Sequence, residues 1–296
     1  GFLTKQVESG FMLKEMRSFI TSKYGDDPMT AGHFQRIVES LGRLTCGKFI
    51  RDFTELDMYL FTNIHNLALR ELFIILANDF KESFKFTKEK LKTICNKLSD
   101  VTNQYYIVSS FRIIVRNSPT SYALFNEESI IENLLELGVS TNNPMVAFEI
   151  FAFMLGLRKV YPEIVSIIAK FDGRYKFDPK NTNCSTAVAL SLFSSGVPLF
   201  IDEFFKYPAN TIINGAILRS ISLIKDEKLV EMIKTHKLPE KIIENFGKSK
   251  TNGQLTCLTE FLASKGSICP ELDTKEWKEF VSTKLADKLK VRDSPY

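Results

Sequence analysis

The amino-acid sequence predicts an all-α fold built from short helices. Three observations carry this. Apolar residues recur at helical spacing along most of the chain, strand-like alternation is nearly absent, and proline stands repeatedly at the start of helical patterns rather than inside them.

Taken in order, Ile37, Val38, Leu41 and Leu44 follow helical spacing, and so do Leu56, Leu60, Ile64 and Leu67. Leu72, Phe73, Leu76 and Phe80 continue the pattern, followed by Leu91, Ile94, Cys95 and Leu98. The stretch from Tyr105 to Val115 is apolar on more sides, as expected of a helix covered by several neighbours. Pro144, Pro162, Pro198, Pro208 and Pro239 each precede an apolar helical pattern, where a missing N–H costs nothing and the fixed φ suits the first turn. Asn142 and Asn143 can cap before Pro144, Asp226 before Leu229, Val230 and Ile233, and Thr274 before a last helix carrying Trp277, Phe280, Val281, Leu285 and Leu289. This pattern gives on the order of 13 helices of about 10 to 16 residues, joined by short turns.

From about residue 100 onward, equivalent helices begin near Tyr105, Pro144, Ser185 and Asp226, a spacing of roughly 40 residues that is near the armadillo and HEAT period. The expected architecture is an armadillo/HEAT-like right-handed α-solenoid. Residues 1–100 form a less regular N-terminal helical module that could bind a partner. Residues 101–296 form the repeats and a C-terminal capping helix. Gly25-Asp26-Asp27-Pro28 reads as a turn behind an N-terminal helix. The polar loop from Gly173 to Asn183 lies either beside a binding face or on the surface with Tyr175 and Phe177 tucked inward.

Composition bounds the function classes. The chain has 296 residues, 44% hydrophobic and 25% charged, which is ordinary for a globular protein. Its 25 phenylalanines carry no hydrogen-bonding group and must mostly be buried. A net charge of +4 with Lys and Glu interleaved reads as solvated helix faces and argues against nucleic acid as partner. Cys46, Cys95, Cys184, Cys257 and Cys269 are odd in number and scattered, which points to a reducing, cytoplasmic setting. The start, Gly1-Phe2-Leu3-Thr4-Lys5, has no signal-peptide pattern and no initiator Met, as expected of a piece of a longer protein. The most apolar run, Val146 to Leu157, is too short to span a bilayer.

No catalytic, cofactor or metal constellation is expected. His33, His65 and His236 lack partners at ligand spacing, and His65 reads as a helix-surface residue beside Ile64 and Leu67. Gly247-Lys248-Ser249 lacks the earlier glycine and preceding strand of a phosphate loop, and reads as a helix stop. Ser194-Ser195-Gly196 lacks the context of a nucleophile elbow. Asp26-Asp27, Glu127-Glu128 and Asp202-Glu203 are adjacent residues that diverge on a helix, so they make no acid–base dyad. Glu127 and Glu128 suit a helix N-terminus. Asn183-Cys184-Ser185 matches a glycosylation sequon, which a reducing compartment leaves unmodified. The Phe-rich stretches 148–157 and 191–205 read as packed core.

The order of three segments resembles the armadillo repeats in the N-terminal regulatory region of diaphanous-type formins. These are the helix Ile107 to Asn117, the leucine-rich Asn126 to Leu137, and the Asn-Pro-initiated Asn143 to Leu155. That resemblance implies a protein-binding scaffold that engages a Rho-family GTPase or an autoinhibitory helix and controls actin assembly, with no cofactor. The nearest polar candidates for partner contacts are Arg43, Lys48 and Arg51, with Asn117 and Tyr122 further on. The last helix, Glu276-Trp277-Lys278-Glu279-Phe280-Val281, is instead similar to the ends of helical phosphatase regulatory subunits, so that reading stands beside the first, as does a structural cytoskeleton-associated role.

Overall fold

A computed structural model describes residues 5, 6, 9–22, 24, 25, 27–180, 182–248 and 252–293. The chain start Gly1 to Thr4, Asp26, Asn181 and Ser249 lie outside the described residues. Among the described residues the chain is helical, with no strand. It divides into two compact units, 1–162 and 163–296. The boundary expected at residue 100 therefore falls inside the first unit.

Unit 1 contains α1 (Phe11–Ile20), α2 (Pro28–Leu44), α3 (Lys48–Asp52), α4 (Leu56–Thr62), α5 (Leu67–Asp79), α6 (Lys81–Phe84), α7 (Lys88–Cys95), α8 (Val101–Asn117), α9 (Tyr122–Phe125), α10 (Glu128–Ser140) and α11 (Pro144–Val160). Many are shorter than the expected 10 to 16 residues. The segment from Leu56 to Leu67, which reads as one helix, breaks at Asn63. The Asn63 amide donates to the Tyr59 carbonyl, and Asn66 then caps a new helix by accepting from Ala68 N at 3.1 Å. His65 consequently sits in a turn and not on a helix.

Four helices of unit 1 share a register. Each opens on an Asx cap whose side chain accepts from a first-turn amide: Asp27 for α2, Asn66 for α5, Asp100 for α8 and Asn143 for α11. Such a cap is worth about 1 kcal/mol. Seven residues after the cap stand Phe34, Phe73, Ile107 and Ile150, and eleven after it stand Val38, Ala77, Phe111 and Met154, all buried. Fourteen after it stand Leu41, Phe80, Ile114 and Leu157, buried except for half-buried Phe80. These spacings are two, three and four turns of helix, so they form one apolar stripe.

The four helices pack one on the next, α2 on α5, α5 on α8 and α8 on α11. They run parallel. Pro28 lines one cavity with His65, Asn66 and Leu67, joining the starts of α2 and α5. Arg43 reaches Asp79 at 3.7 Å, joining their ends. Arg70 lies over the Tyr106 ring at 5.2 Å, near the starts of α5 and α8. Beyond the end of α8, the Tyr122 ring stacks on Phe153 with centroids 6.2 Å apart, toward the end of α11. The row thus takes two helices from the part expected to be less regular and two from the expected repeats.

Unit 2 contains α12 (Val165–Ala169), α13 (Cys184–Leu190), α14 (Val197–Lys206), α15 (Thr211–Ile221), α16 (Asp226–His236), α17 (Leu238–Asn245), α18 (Asn252–Lys265), α19 (Lys275–Phe280) and α20 (Ala286–Asp293). The same register recurs in α15: Asn210 caps it, and Ile217, Ile221 and Ile224 are buried. The cap expected at Asp226 is not formed. Asp226 is the first residue of α16, and its carboxylate pairs with Lys265 at 2.7 Å instead. In the 173–183 loop, Tyr175 and Phe177 tuck inward. Phe177 meets the Phe200 ring at 6.0 Å and occupies the space a Cβ at Gly196 would fill. Trp277 and Phe280 are buried, and Phe280 meets Phe246 edge-on at 5.0 Å. Among the described residues no single helix is long and apolar enough to cross a membrane.

Candidate functional site

The stripe of caps and apolar positions leaves the opposite side of each row helix uncovered by its own core. On α8 that side carries Thr102, Tyr105, Tyr106, Arg112, Ile113 and Arg116. On α11 it carries Phe148, Ala152, Leu155 and Lys159, and on α5 Glu71, Ile74 and Asn78. Most of these are half-buried, with Glu71, Thr102, Arg116 and Lys159 exposed.

Arginines tie each helix to the next. Arg43 of α2 lies 5.7 Å from the Phe80 ring, Arg70 of α5 lies 5.2 Å from Tyr106, and Arg112 of α8 lies 5.6 Å from Phe148. A guanidinium on an aromatic face contributes about 0.5–1 kcal/mol at such exposed positions. Arg112 also grips Glu149, donating from Nε to Oε2 and from Nη2 to Oε1, the latter at 2.9 Å. The Glu149 hydrogen bond, ahead of the Coulombic attraction between the two groups, holds the Arg112 pKa above its usual value against the opposing effect of burial. Among the described residues Arg70, Arg116 and Lys159 have no carboxylate partner, while Glu71 is the exposed carboxylate of this side. The surface can therefore offer apolar and aromatic area with unneutralised cations on it.

The five residues expected from sequence have different surroundings. Arg43 is neutralised by Glu39 at 2.9 Å and Asp79 at 3.7 Å. Lys48 pairs within its own helix with Asp52 at 2.5 Å. Arg51 donates from Nη1 to Ser83 Oγ at 3.2 Å. Asn117 is exposed at the end of α8. Tyr122 is a packing residue: its hydroxyl occupies the space a Cβ at Gly156 would need, and burial pushes its phenol pKa up. Sequence reasoning missed Arg70, Tyr106, Arg112, Phe148, Arg116 and Lys159. The recurring Asx cap was the signal that could have found them.

No group of His, Cys, Asp and Glu among the described residues is arranged to hold a metal. All five cysteines are free thiols. Comparison with family models, with curated proteins and with solved structures finds no match.

Proposed function

We propose that the chain is a non-enzymatic, cytoplasmic binding scaffold, an armadillo/HEAT-like helical repeat whose α5–α8–α11 side grips a protein partner. The observation that supports it is the row of parallel helices in unit 1, which presents Tyr105, Tyr106, Ile113, Phe148 and Leu155 together with Arg70, Arg116 and Lys159. Aromatic residues and arginine are the residue types enriched at protein interfaces. The sequence resemblance makes a Rho-family GTPase the first partner to test.

The test presents purified Rho-family GTPases, loaded with a GTP analogue or with GDP, to the full chain. Binding that depends on the GTP analogue and falls about tenfold or more in the doubly charge-reversed Arg116→Glu/Lys159→Glu variant supports the reading, since rim charges act on association. Binding by a phosphatase catalytic subunit in place of any GTPase replaces it with the regulator reading. Binding that is unchanged in the charge-reversed variant removes this side of unit 1 as the site.

A further inference from the structure

Helices α3, α4, α6 and α7 surround a cavity of about 420 Å³ in unit 1, built from other residues than the row. Ile50, Phe53, Leu56 and Phe84 form its apolar wall. Arg51, Lys85, Lys90 and Asp57 line it with the hydroxyls of Thr54, Ser83 and Thr87. The chain as a whole spreads its charges evenly, so three cations against one carboxylate in one cavity is a local exception.

The charges are not equivalent. Lys90 answers Asp57 at 3.2 Å, donates to the Phe84 carbonyl at 2.5 Å and lies over the Phe84 ring at 4.4 Å. Its charge is thereby consumed, and so is that of Asp57. Arg51 and Lys85 have no carboxylate partner among the described residues. Two backbone features hold them there. Gly47 has φ 82°, and a Cβ at that position would collide with Ser83 Oγ. Its absence lets the hydroxyl stand where Arg51 Nη1 donates to it at 3.2 Å. Lys85 sits at φ 47°, a left-handed conformation that costs a non-glycine residue roughly 1 kcal/mol. Glycine would serve the turn better, so the side chain at position 85 is present at a cost to the fold.

We propose that this cavity binds a phosphomonoester carried on an aromatic or apolar group. The dianion takes Arg51 and Lys85, with the Ser83 hydroxyl beside them. The carrier lies against Phe53 and Phe84. A guanidinium fork matches phosphate oxygens in pairs, and an ammonium adds a second positive charge to match the dianion. A bare anion would use the cations and leave the apolar wall empty. The proposal does not depend on the scaffold reading, because it uses none of the residues of the row side.

Phenyl phosphate is the probe, titrated into the full chain at low salt and followed by calorimetry, with inorganic phosphate and phenol titrated separately. Saturable one-to-one binding of phenyl phosphate is expected, with inorganic phosphate and phenol each weaker by about tenfold or more. Arg51→Gln and Lys85→Gly should each weaken phenyl phosphate about tenfold. Lys85→Gly relieves the left-handed strain, so a melting temperature at or above the parent's separates loss of a ligand contact from loss of fold. No saturation by about 10 mM phenyl phosphate, or equal binding by the parent and both variants, overturns the site. Inorganic phosphate binding as tightly as phenyl phosphate overturns the aromatic or apolar carrier.

Discussion

Replacing Arg112 with methionine tests the row packing directly. The Glu149 side chain is only 4% exposed, whereas Arg112 is 34% exposed. Removing the arginine strands a carboxylate in the interface between α8 and α11, and an uncompensated buried charge costs about 3–5 kcal/mol. For a unit of this size that corresponds to a fall in melting temperature of roughly 6–20 °C. The reverse change is milder. In Glu149→Leu the arginine can extend into solvent, and leucine fills the space, so the cost stays under about 1.5 kcal/mol. The double variant Arg112→Met/Glu149→Leu should return close to the parent, giving a coupling of about 2 kcal/mol or more in the cycle. Urea denaturation followed by far-UV circular dichroism measures each corner. Trp277 is the one tryptophan and lies in unit 2, so its fluorescence reports that unit separately. Arg112→Met within about 1 kcal/mol of the parent would refute the reasoning, and so would Glu149→Leu proving as costly as Arg112→Met.

Three further outcomes are expected. Burial acts to raise the pKa of Asp172, but hydrogen bonds from Ser195 and Ser194 outweigh it and hold the carboxyl below its usual range. Its stabilisation is therefore complete above the unfolded value of about 3.9 and is lost as pH falls through the lower folded value. Asp172→Asn should lower the urea midpoint at pH 7 and flatten the decline of stability in acid, while an unchanged acid limb would count against this. Both amide atoms of Asn78 are buried without a hydrogen-bond partner, so Asn78→Leu should stabilise unit 1 by about 1 kcal/mol in thermal melts, and a loss would show that the amide is satisfied in solution. Burial pushes the Cys95 thiol to about 12 and leaves Cys269 covered, whereas Cys46, Cys184 and Cys257 are exposed. Mass spectrometry after brief iodoacetamide treatment near neutral pH should find the exposed three alkylated and the other two spared until denaturant is added.

Helix content was legible because it depends on local spacing. Ile107, Phe111 and Ile114 sit one turn apart whatever they pack against, and all are fully buried. Pro144 at the first turn of α11, and Asn143 and Thr274 as caps, were legible for the same reason: each acts within its own turn. Asp226 was misread because a carboxylate at a helix start has two uses, and Lys265, 39 residues away, took it for an ion pair. The long helix expected through Ile64 failed because two asparagines compete with the backbone for hydrogen bonds.

The candidate site shows the same division. Arg43, Lys48 and Arg51 were visible as cations, but sequence could not show that the first two are neutralised while Arg51 lines a cavity beside Lys85. Arg70 and Tyr106 are 36 residues apart and meet only because α5 and α8 lie side by side. By itself, the sequence determined which segments are helical and which residues are apolar enough to be buried, because helix periodicity and capping are short-range. The tertiary structure alone decided which helices are neighbours, which charges are cancelled and which cations remain unmatched, because those depend on distances between residues far apart in the chain.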